Sequence, residues 1–495
     1  MKILLAAAVL AIPAVSWSEP ADDGAMVETE IVPVNDNDME PAQADDAQPT
    51  QPALTGGALR VEAVQAGFMQ QAADTPQDAL TLQQCINMAL ESNLRIGAAT
   101  EKLAEMDAAI DEAATARRPT LTGQASYTRL VPQPSNPMAD LAAMVPNLPS
   151  LNSNLSGNIY NVGLNLNHLL YTGGRVQNAQ RIAEQSRVAG EWQQKTVVRE
   201  IRRDVTKAYY QALAVELSVI ALDSAVSLME QLVRDISNAV EVGVRGEYDL
   251  LQAQVQLINQ RFARQQAATG AAAARDYLAM LIGLPVNTPI VLVRSMETPE
   301  ALNLPGIESM QSQARSISTD LKALEEQTKI LEISMEITRA ANLPTVFAAA
   351  GYSGGQSAGG DAGNFTWNNQ GTLTLGLQWD IYDGGRVNHR LRQTQSQMRQ
   401  LELNMENLRI GLDLMVRNSA ASLEDAFEGI DVGRRSVEQT RRSYEISYDK
   451  YQEGMLLSFE LLNAQNQYLQ AGISYYASLS NFYSRLADLD FLVNE

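Results

Sequence analysis

The chain of 495 residues contains one cysteine, Cys85, and two histidines, His168 and His389. A lone cysteine excludes an intramolecular disulfide framework. No Cys, His and carboxylate cluster has metal-ligand spacing, so the sequence offers no metal site and no cofactor site. Neither histidine stands beside a nucleophile motif, and no catalytic residues are assigned. Proline is missing between Pro149 and Pro285 and again after Pro344. It costs a helix interior about 3 kcal/mol, so those stretches are where long helices can run. From Glu19 to Leu59 there are ten acidic residues and no Lys or Arg, and the net charge of the chain is −21. That field opposes phosphate binding and argues against nucleic acid as a partner. Past the N-terminus no run reaches the roughly 18 consecutive apolar residues of a transmembrane helix.

The first segment present is a targeting signal. Lys2 precedes an apolar run from Ile3 to Val15 and the small residues Ser16 and Ser18. This pattern predicts a secretory signal peptide over residues 1–18. No cysteine lies near the cut, which argues against a lipid anchor. Residues 19–79 follow as an acidic leader, rich in Pro, Ala and Gln, that cannot bury a core and is expected to be disordered.

The remainder says the same thing twice. Tyr171-Thr-Gly-Gly-Arg-Val176 recurs as Tyr382-Asp-Gly-Gly-Arg-Val387, an offset of 211 residues. Gly243 with Leu250-Leu251-Gln-Ala253-Gln254 recurs at the same offset as Gly454 with Leu461-Leu462-Asn-Ala464-Gln465. Two landmarks sharing one offset hold the intervening segment at fixed length. At about 1.5 Å per residue, roughly 70 helical residues span on the order of 100 Å. The expected organisation is a first repeat over 80–290, a linker over 291–308 and a second repeat over 309–495. Each repeat holds a helix (Leu82–Arg117, then Ser309–Ala341), two strands and a long helical hairpin.

The strands alternate. Leu373, Leu375, Leu377, Trp379 and Ile381 interleave with Thr372, Thr374, Gly376, Gln378 and Asp380, as Val162, Leu164 and Leu166 do with Asn161, Gly163, Asn165 and Asn167. One face is apolar, the other polar and nearly uncharged, and the strands have about the ten residues of a membrane strand. With the export signal, this favours a lipid-facing barrel over a sheet covering a soluble core. Four strands cannot close a barrel, because an open edge in hydrocarbon leaves backbone groups unpaired. The chain must therefore oligomerise, and the strands alone do not choose between two copies and three.

The first long helix carries a stripe at steps of four and three: Ile201, Val205, Ala208, Ala212, Val215, Val219, Leu222, Val226, Met229, Val233, Ile236 and Val240. That period of 3.5 residues wraps helices left-handedly around neighbours. The second copy runs through Leu412, Val416, Ser419, Leu423, Ala426, Ile430, Gly433 and Val437. It then places Thr440, Tyr444, Ser447 and Tyr451 where the first has Met229, Val233, Ile236 and Val240. The change predicts a second hairpin tip that packs less firmly and can move.

These paired junctions and turns, with Leu80-Thr-Leu-Gln-Gln and Ala89-Leu-Glu-Ser-Asn93, resemble the TolC-like outer membrane channel family over about Leu80 to Glu495. The resemblance implies a mainly α fold with membrane β: a homotrimer whose twelve strands form one barrel in outer membrane lipid, continued by a periplasmic α-helical barrel. It also implies an exit duct for drug efflux or type I secretion, docked onto a periplasmic adaptor protein and an inner membrane transporter, an RND pump or an ABC exporter.

Carried over by position, Glu460 corresponds to the family's first acidic ring at the entrance, and the next ring position falls on the uncharged Asn463. Asp249, the counterpart of Glu460, reads as a helix-start carboxylate near the tip. Arg441, Arg442, Tyr444, Tyr448 and Tyr451 are candidates for the network that closes the entrance. The family's basic residue two after the turn glycine is Leu456 here. The turns Gly243, Val244, Arg245, Gly246 and Glu247, and Gly454, Met455, Leu456, Leu457 and Ser458, are the expected adaptor-docking tips. Gly173 and Gly174, with Gly384 and Gly385, are expected to permit the strand-to-helix passage. The competing reading is a soluble periplasmic or surface coiled-coil scaffold without channel activity, which leaves the apolar strand faces unexplained.

Overall fold

The structure, a computed structural model, describes residues 79–129, 131, 158–356 and 367–494. The chain divides into two units, Met1–Thr55 and Gly56–Glu495, and every described residue belongs to the second. The expected signal peptide and the leader up to residue 78 lie outside the described residues.

The described chain runs α1 (Leu82–Ser92), α2 (Leu94–Thr115), β1 (Thr120–Arg129), β2 (Asn158–Tyr171), α3 (Arg175–Glu241) and α4 (Glu247–Leu281). It continues as α5 (Ile307–Ile317), α6 (Thr319–Ala340), β3 (Thr345–Gln356), β4 (Asn368–Gln378), α7 (Arg386–Gln452) and α8 (Ser458–Val493). Two helices expected to be continuous are each broken once. Asn93 ends α1 and caps α2, its carboxamide accepting from Arg95 N at 2.9 Å and donating to Leu281 O at 2.8 Å. Ser318 does the same between α5 and α6, its hydroxyl accepting from Leu321 N. Short polar side chains compete for backbone donors in this way, which makes them helix starts. Thr81 and Gln84 close a capping box at the first turn of α1.

The strands form one antiparallel sheet in the order β1-β2-β3-β4. Its register places Leu121, Leu166, Ala350 and Leu373 in one row, and Gly123, Leu164, Tyr352 and Gly371 in the next row of the same face. The opposite face carries Thr122, Asn165, Gly351 and Thr372 in one row, and Gln124, Gly163, Ser353 and Gln370 in another. No charged side chain stands on that polar face among the described strand residues. Space on it is tight: a Cβ on Gly351 would meet Thr372 Oγ1 at 2.8 Å and Asn165 Oδ1 at 3.1 Å.

On the apolar face aromatic residues gather at both strand ends. The Tyr127 and Tyr160 rings meet at a tilt of 38° with centroids 5.0 Å apart, and Tyr352 and Trp367 stand at the same end. Tyr171, Trp379 and Tyr382 mark the other, all of them exposed. From Tyr160 to Tyr171 the strand climbs about 36 Å at ~3.3 Å per residue. At the ~40° tilt of a membrane strand this is ~28 Å along the normal, close to the apolar band of outer membrane barrels. His168 shares the face of Leu164 and Leu166 near the Tyr171 end, its Nδ1 buried without a hydrogen-bond partner among the described residues.

Each helix of the long hairpins runs for 67 residues on its first leg, about 100 Å. The stripe read on α3 faces inward: Ile201, Val205, Ala208, Ala212, Leu222, Met229 and Ile236 are buried and its other members half-buried. A second buried row, Leu213, Leu217, Ala221 and Ala225, widens the face, because α3 packs on α1, α2, α4, α6 and α8. One coiled-coil seam cannot serve five neighbours. By length and hydropathy a stretch of α3 would pass for a membrane span, but half of that window is buried inside the chain. The largest apolar cluster joins α1, α3, α4, α5, α7 and α8 and takes in Ile290 and Leu292 beyond α4, where Leu80 bridges Leu292.

Candidate functional site

Two places on the duplicated unit need special chemistry: the passage from strand to long helix, and the hairpin tips.

At the passages all four glycines hold positive φ, Gly173 and Gly174 at +64° and +87°, Gly384 and Gly385 at +67° and +84°. Side chains other than glycine pay strain there. The first junction is also crowded, since a Cβ on Gly173 would stand 2.9 Å from Leu343 Cβ, whereas Gly384 has open space. The residue before each pair caps the helix. Asp383 accepts from Gly385 N and Val387 N, both at 2.8 Å, and those amide donors hold its carboxyl below the usual aspartate range. Its counterpart Thr172 accepts from Val176 N through its hydroxyl oxygen at 3.4 Å.

At the tips, Gly243 and Gly454 each carry a φ of +73°. Gly243 N donates to Val240 O and Val244 N to Ala239 O, and Gly454 N to Tyr451 O and Met455 N to Lys450 O. Both pairs are the hydrogen bonds of a Schellman stop. Gly246 and Glu247 then open α4, as Leu457 and Ser458 open α8. Val244, Met455 and Leu457 are exposed apolar residues on the two turns, and Leu456 packs against the tip cluster.

The two tips of one chain are tied together. Ser458, almost fully buried, donates its hydroxyl to Asp249 Oδ1 at 3.2 Å. The Arg245 guanidinium sits 4.9 Å from the centre of the Tyr451 ring. Behind these ties, Tyr444 and Tyr448 are buried with Met229, Leu232, Ile236, Leu461 and Leu462, and Tyr444 stacks on Tyr468 at 6.2 Å. Burial raises the Tyr451 and Tyr468 phenols above their ordinary range. The Tyr448 hydroxyl is buried with no hydrogen-bond partner among the described residues, an arrangement that costs on the order of 1–3 kcal/mol.

Glu460 is exposed and turns its carboxylate back to Leu457 N at 3.4 Å, and Asn463 is exposed one turn on. Arg441 bridges Glu438 and Glu445 at 2.8 and 2.7 Å, and Arg442 approaches Glu445 at 3.5 Å, so their ion pairs among the described residues stay on α7. Sequence reasoning placed Arg245 and Ser458 among the docking residues and missed them as ties between tips. It also missed Tyr468, which stands outside both stripes. The available signal was geometric: Asp249 and Ser458 each lie within the first turn after a duplicated glycine, so the two turns can meet.

The sequence model of the family described as outer membrane efflux protein matches residues 85–284 and 310–495. Protein CyaE of Bordetella pertussis is 25% identical over 279 residues, 56% of this chain and 58% of CyaE. The outer membrane efflux protein BepC of Brucella suis is 23% identical over 330 residues, 63% of this chain and 67% of BepC. The solved structure of the CmeC outer membrane channel of Campylobacter jejuni superposes with a TM-score of 0.61 at 17% identity, over 91% of this chain and 94% of CmeC. The sequence matches to CyaE and BepC thus span about three fifths to two thirds of those proteins, and the likeness to CmeC is one of fold. With a family match over most of its length, this chain belongs to the outer membrane efflux protein family and resides in the outer membrane.

Proposed function

We propose that the chain is the outer membrane exit duct of a tripartite efflux or type I secretion machine. It is a passive conduit and not an enzyme, closed at its helical tips and opened when a periplasmic adaptor docks there. Three copies would close a barrel of twelve strands in outer membrane lipid, and their helical hairpins would continue the bore across the periplasm towards an RND pump or an ABC exporter.

The observation that carries the reading is the continuity of one unit. A sheet with an apolar outer face passes through glycine junctions into hairpins about 100 Å long, and the hairpins end in turns tied to each other by Arg245–Tyr451 and Asp249–Ser458. The exposed apolar residues Val244, Met455 and Leu457 give an adaptor its purchase at both turns. Glu460 in three copies at the constriction would attract cations and repel anions. A soluble scaffold leaves Leu373, Leu375, Leu377 and Trp379 exposed for no purpose.

The test releases the tie. Arg245→Ala combined with Ser458→Ala should raise single-channel conductance severalfold while the oligomer stays intact, and Glu460→Gln should lower the preference for cations. Unchanged conductance and selectivity would remove these residues from the gate.

A further inference from the structure

We propose that the cleft where α1, α3 and the last turns of α8 meet is a binding site for a small aromatic carboxylate. The cleft is built within one chain, so it stands or falls independently of the duct.

Its walls divide by chemistry. Leu82 and Ile86 of α1, with Leu486 and Ala487 of α8, form an aliphatic side, and Tyr210, Tyr483 and Phe491 an aromatic one. Arg199, Arg202 and Arg203 of α3 bring three guanidiniums, against the single carboxylate of Asp490. The volume is about 320 Å³, within the range of small-molecule sites, which combine an apolar body with a few polar groups. A chain of net charge −21 has thus gathered cations around an apolar hollow. Such a hollow draws anions, and its low-dielectric walls strengthen the attraction.

The groups are held in place before a ligand arrives. Arg203 and Arg199 lie over the Phe491 ring, 4.7 and 5.2 Å from its centre. Arg199 also donates to the carbonyls of Phe491 and Asn494, the second at 2.8 Å. Stacking engages the flat face of a guanidinium and leaves edge donors for a carboxylate, a fork geometry that lysine lacks. Arg203 gives Nε and Nη2 to Asp204 at 3.0 and 2.9 Å, and its Nη1 has no partner among the described residues. Tyr210 lies parallel to Tyr483 with centroids 3.9 Å apart, and the Tyr483 hydroxyl donates to Glu297 O at 2.8 Å. A site ordered in advance loses less entropy on binding.

The duplication shows that the helices do not need these residues in order to fold. Carried forward by 211 positions, Arg199, Arg202 and Arg203 become Ile410, Asp413 and Leu414, and Tyr210 becomes Ala421. Carried back, Tyr483, Asp490 and Phe491 become Ala272, Ala279 and Met280. In the second half Asp413 pairs with Arg315 of α5 at 3.0 Å. An equivalent long helix is therefore built there without the arginines and without the aromatic wall.

The position along α3 bears on where the ligand comes from. The helix starts at Arg175, and Arg199 stands about 36 Å further along its axis at ~1.5 Å per residue. That distance sets the cleft clear of lipid packed against the strands, so the carboxylate arrives from solution.

Isothermal titration of naphthoate into the full-length protein in lipid nanodiscs, with empty nanodiscs as blank, tests the site. Saturable binding of one molecule per chain is expected, at least tenfold tighter than that of neutral naphthamide or of acetate, which has no aromatic body. Arg202→Gln combined with Arg203→Gln should weaken naphthoate binding at least tenfold. Asp490→Asn should tighten it, and Arg409→Gln, on α7, should leave it unchanged. Naphthamide binding as tightly as naphthoate would mean a merely apolar hollow and would overturn the proposal. So would the absence of saturable binding to the unmodified protein, an unchanged affinity in the arginine variant, or a loss in Asp490→Asn.

Discussion

The two hairpin tips are built to one plan and filled differently. In α3 the stripe reaches the turn as Met229, Val233, Ile236 and Val240, while in α7 the matching positions are Thr440, Tyr444, Ser447 and Tyr451. The first tip is an ordinary coiled coil. The second substitutes large amphipathic rings, which fill the space between hairpins and carry hydroxyls that demand partners. Tyr444 is only 2% exposed, so the second tip is not simply loose. What the comparison teaches is that its cohesion is aromatic and partly frustrated, with the Tyr448 hydroxyl buried and unpartnered among the described residues.

The junctions differ in the same spirit. Thr172 and Asp383 cap equivalent helices, one with a neutral hydroxyl and one with a charge. Gly173 is hemmed in by Leu343 where Gly384 is free.

The largest effect should come from Tyr444→Ala, expected to cost about 3–5 kcal/mol as a large buried side chain removed from a packed cluster. Val233→Ala at the half-buried matching position should cost about 1 kcal/mol. Thermal unfolding of the two variants compares them directly, and equal losses would end the distinction between the tips. At the junctions, Gly173→Ala should cost about 2–4 kcal/mol, from left-handed strain and a forced contact with Leu343, against about 1–2 kcal/mol for Gly384→Ala, which meets strain alone.

Tyr448→Phe removes an unsatisfied buried hydroxyl and should leave stability unchanged or raise it by about 1 kcal/mol. A clear loss would mean that the hydroxyl has a partner after all. The smallest effect is one of pH. Asp383 has a depressed carboxyl pKa in the folded state, so its contribution is present above the ordinary aspartate value of about 3.9 and is lost as pH falls through the folded value. Amide exchange at Gly385 and Val387 should therefore quicken in acid relative to Val176, whose Thr172 cap does not titrate. Parallel behaviour of the two junctions would dismiss the charge.

Much of this was legible in the sequence because it rests on period and punctuation. The duplicated Gly-Gly and hairpin glycines fixed the junctions and turns to within a residue or two, and the alternation from Asn161 to Leu166 separated the two faces of the sheet. The breaks at Asn93 and Ser318 were not legible, since a short polar residue in a helical pattern reads equally well as a surface position until its side chain is seen to take a backbone donor. Nor was the termination of β4 at Gln378 foreseeable, because the alternation through Ile381 tells which face a side chain takes and not where backbone pairing stops. The tie between Arg245 and Tyr451 escaped for a related reason. A heptad position tells which face a side chain is on and not which hairpin it meets.

The central claim is that the chain is a gated outer membrane duct. The most direct measurement is the single-channel conductance of the detergent-purified, unmodified protein in a planar bilayer. The account predicts insertion with small, cation-preferring and mostly closed steps. Recovery of the protein in the soluble periplasmic fraction, with no insertion and no conductance, would contradict it.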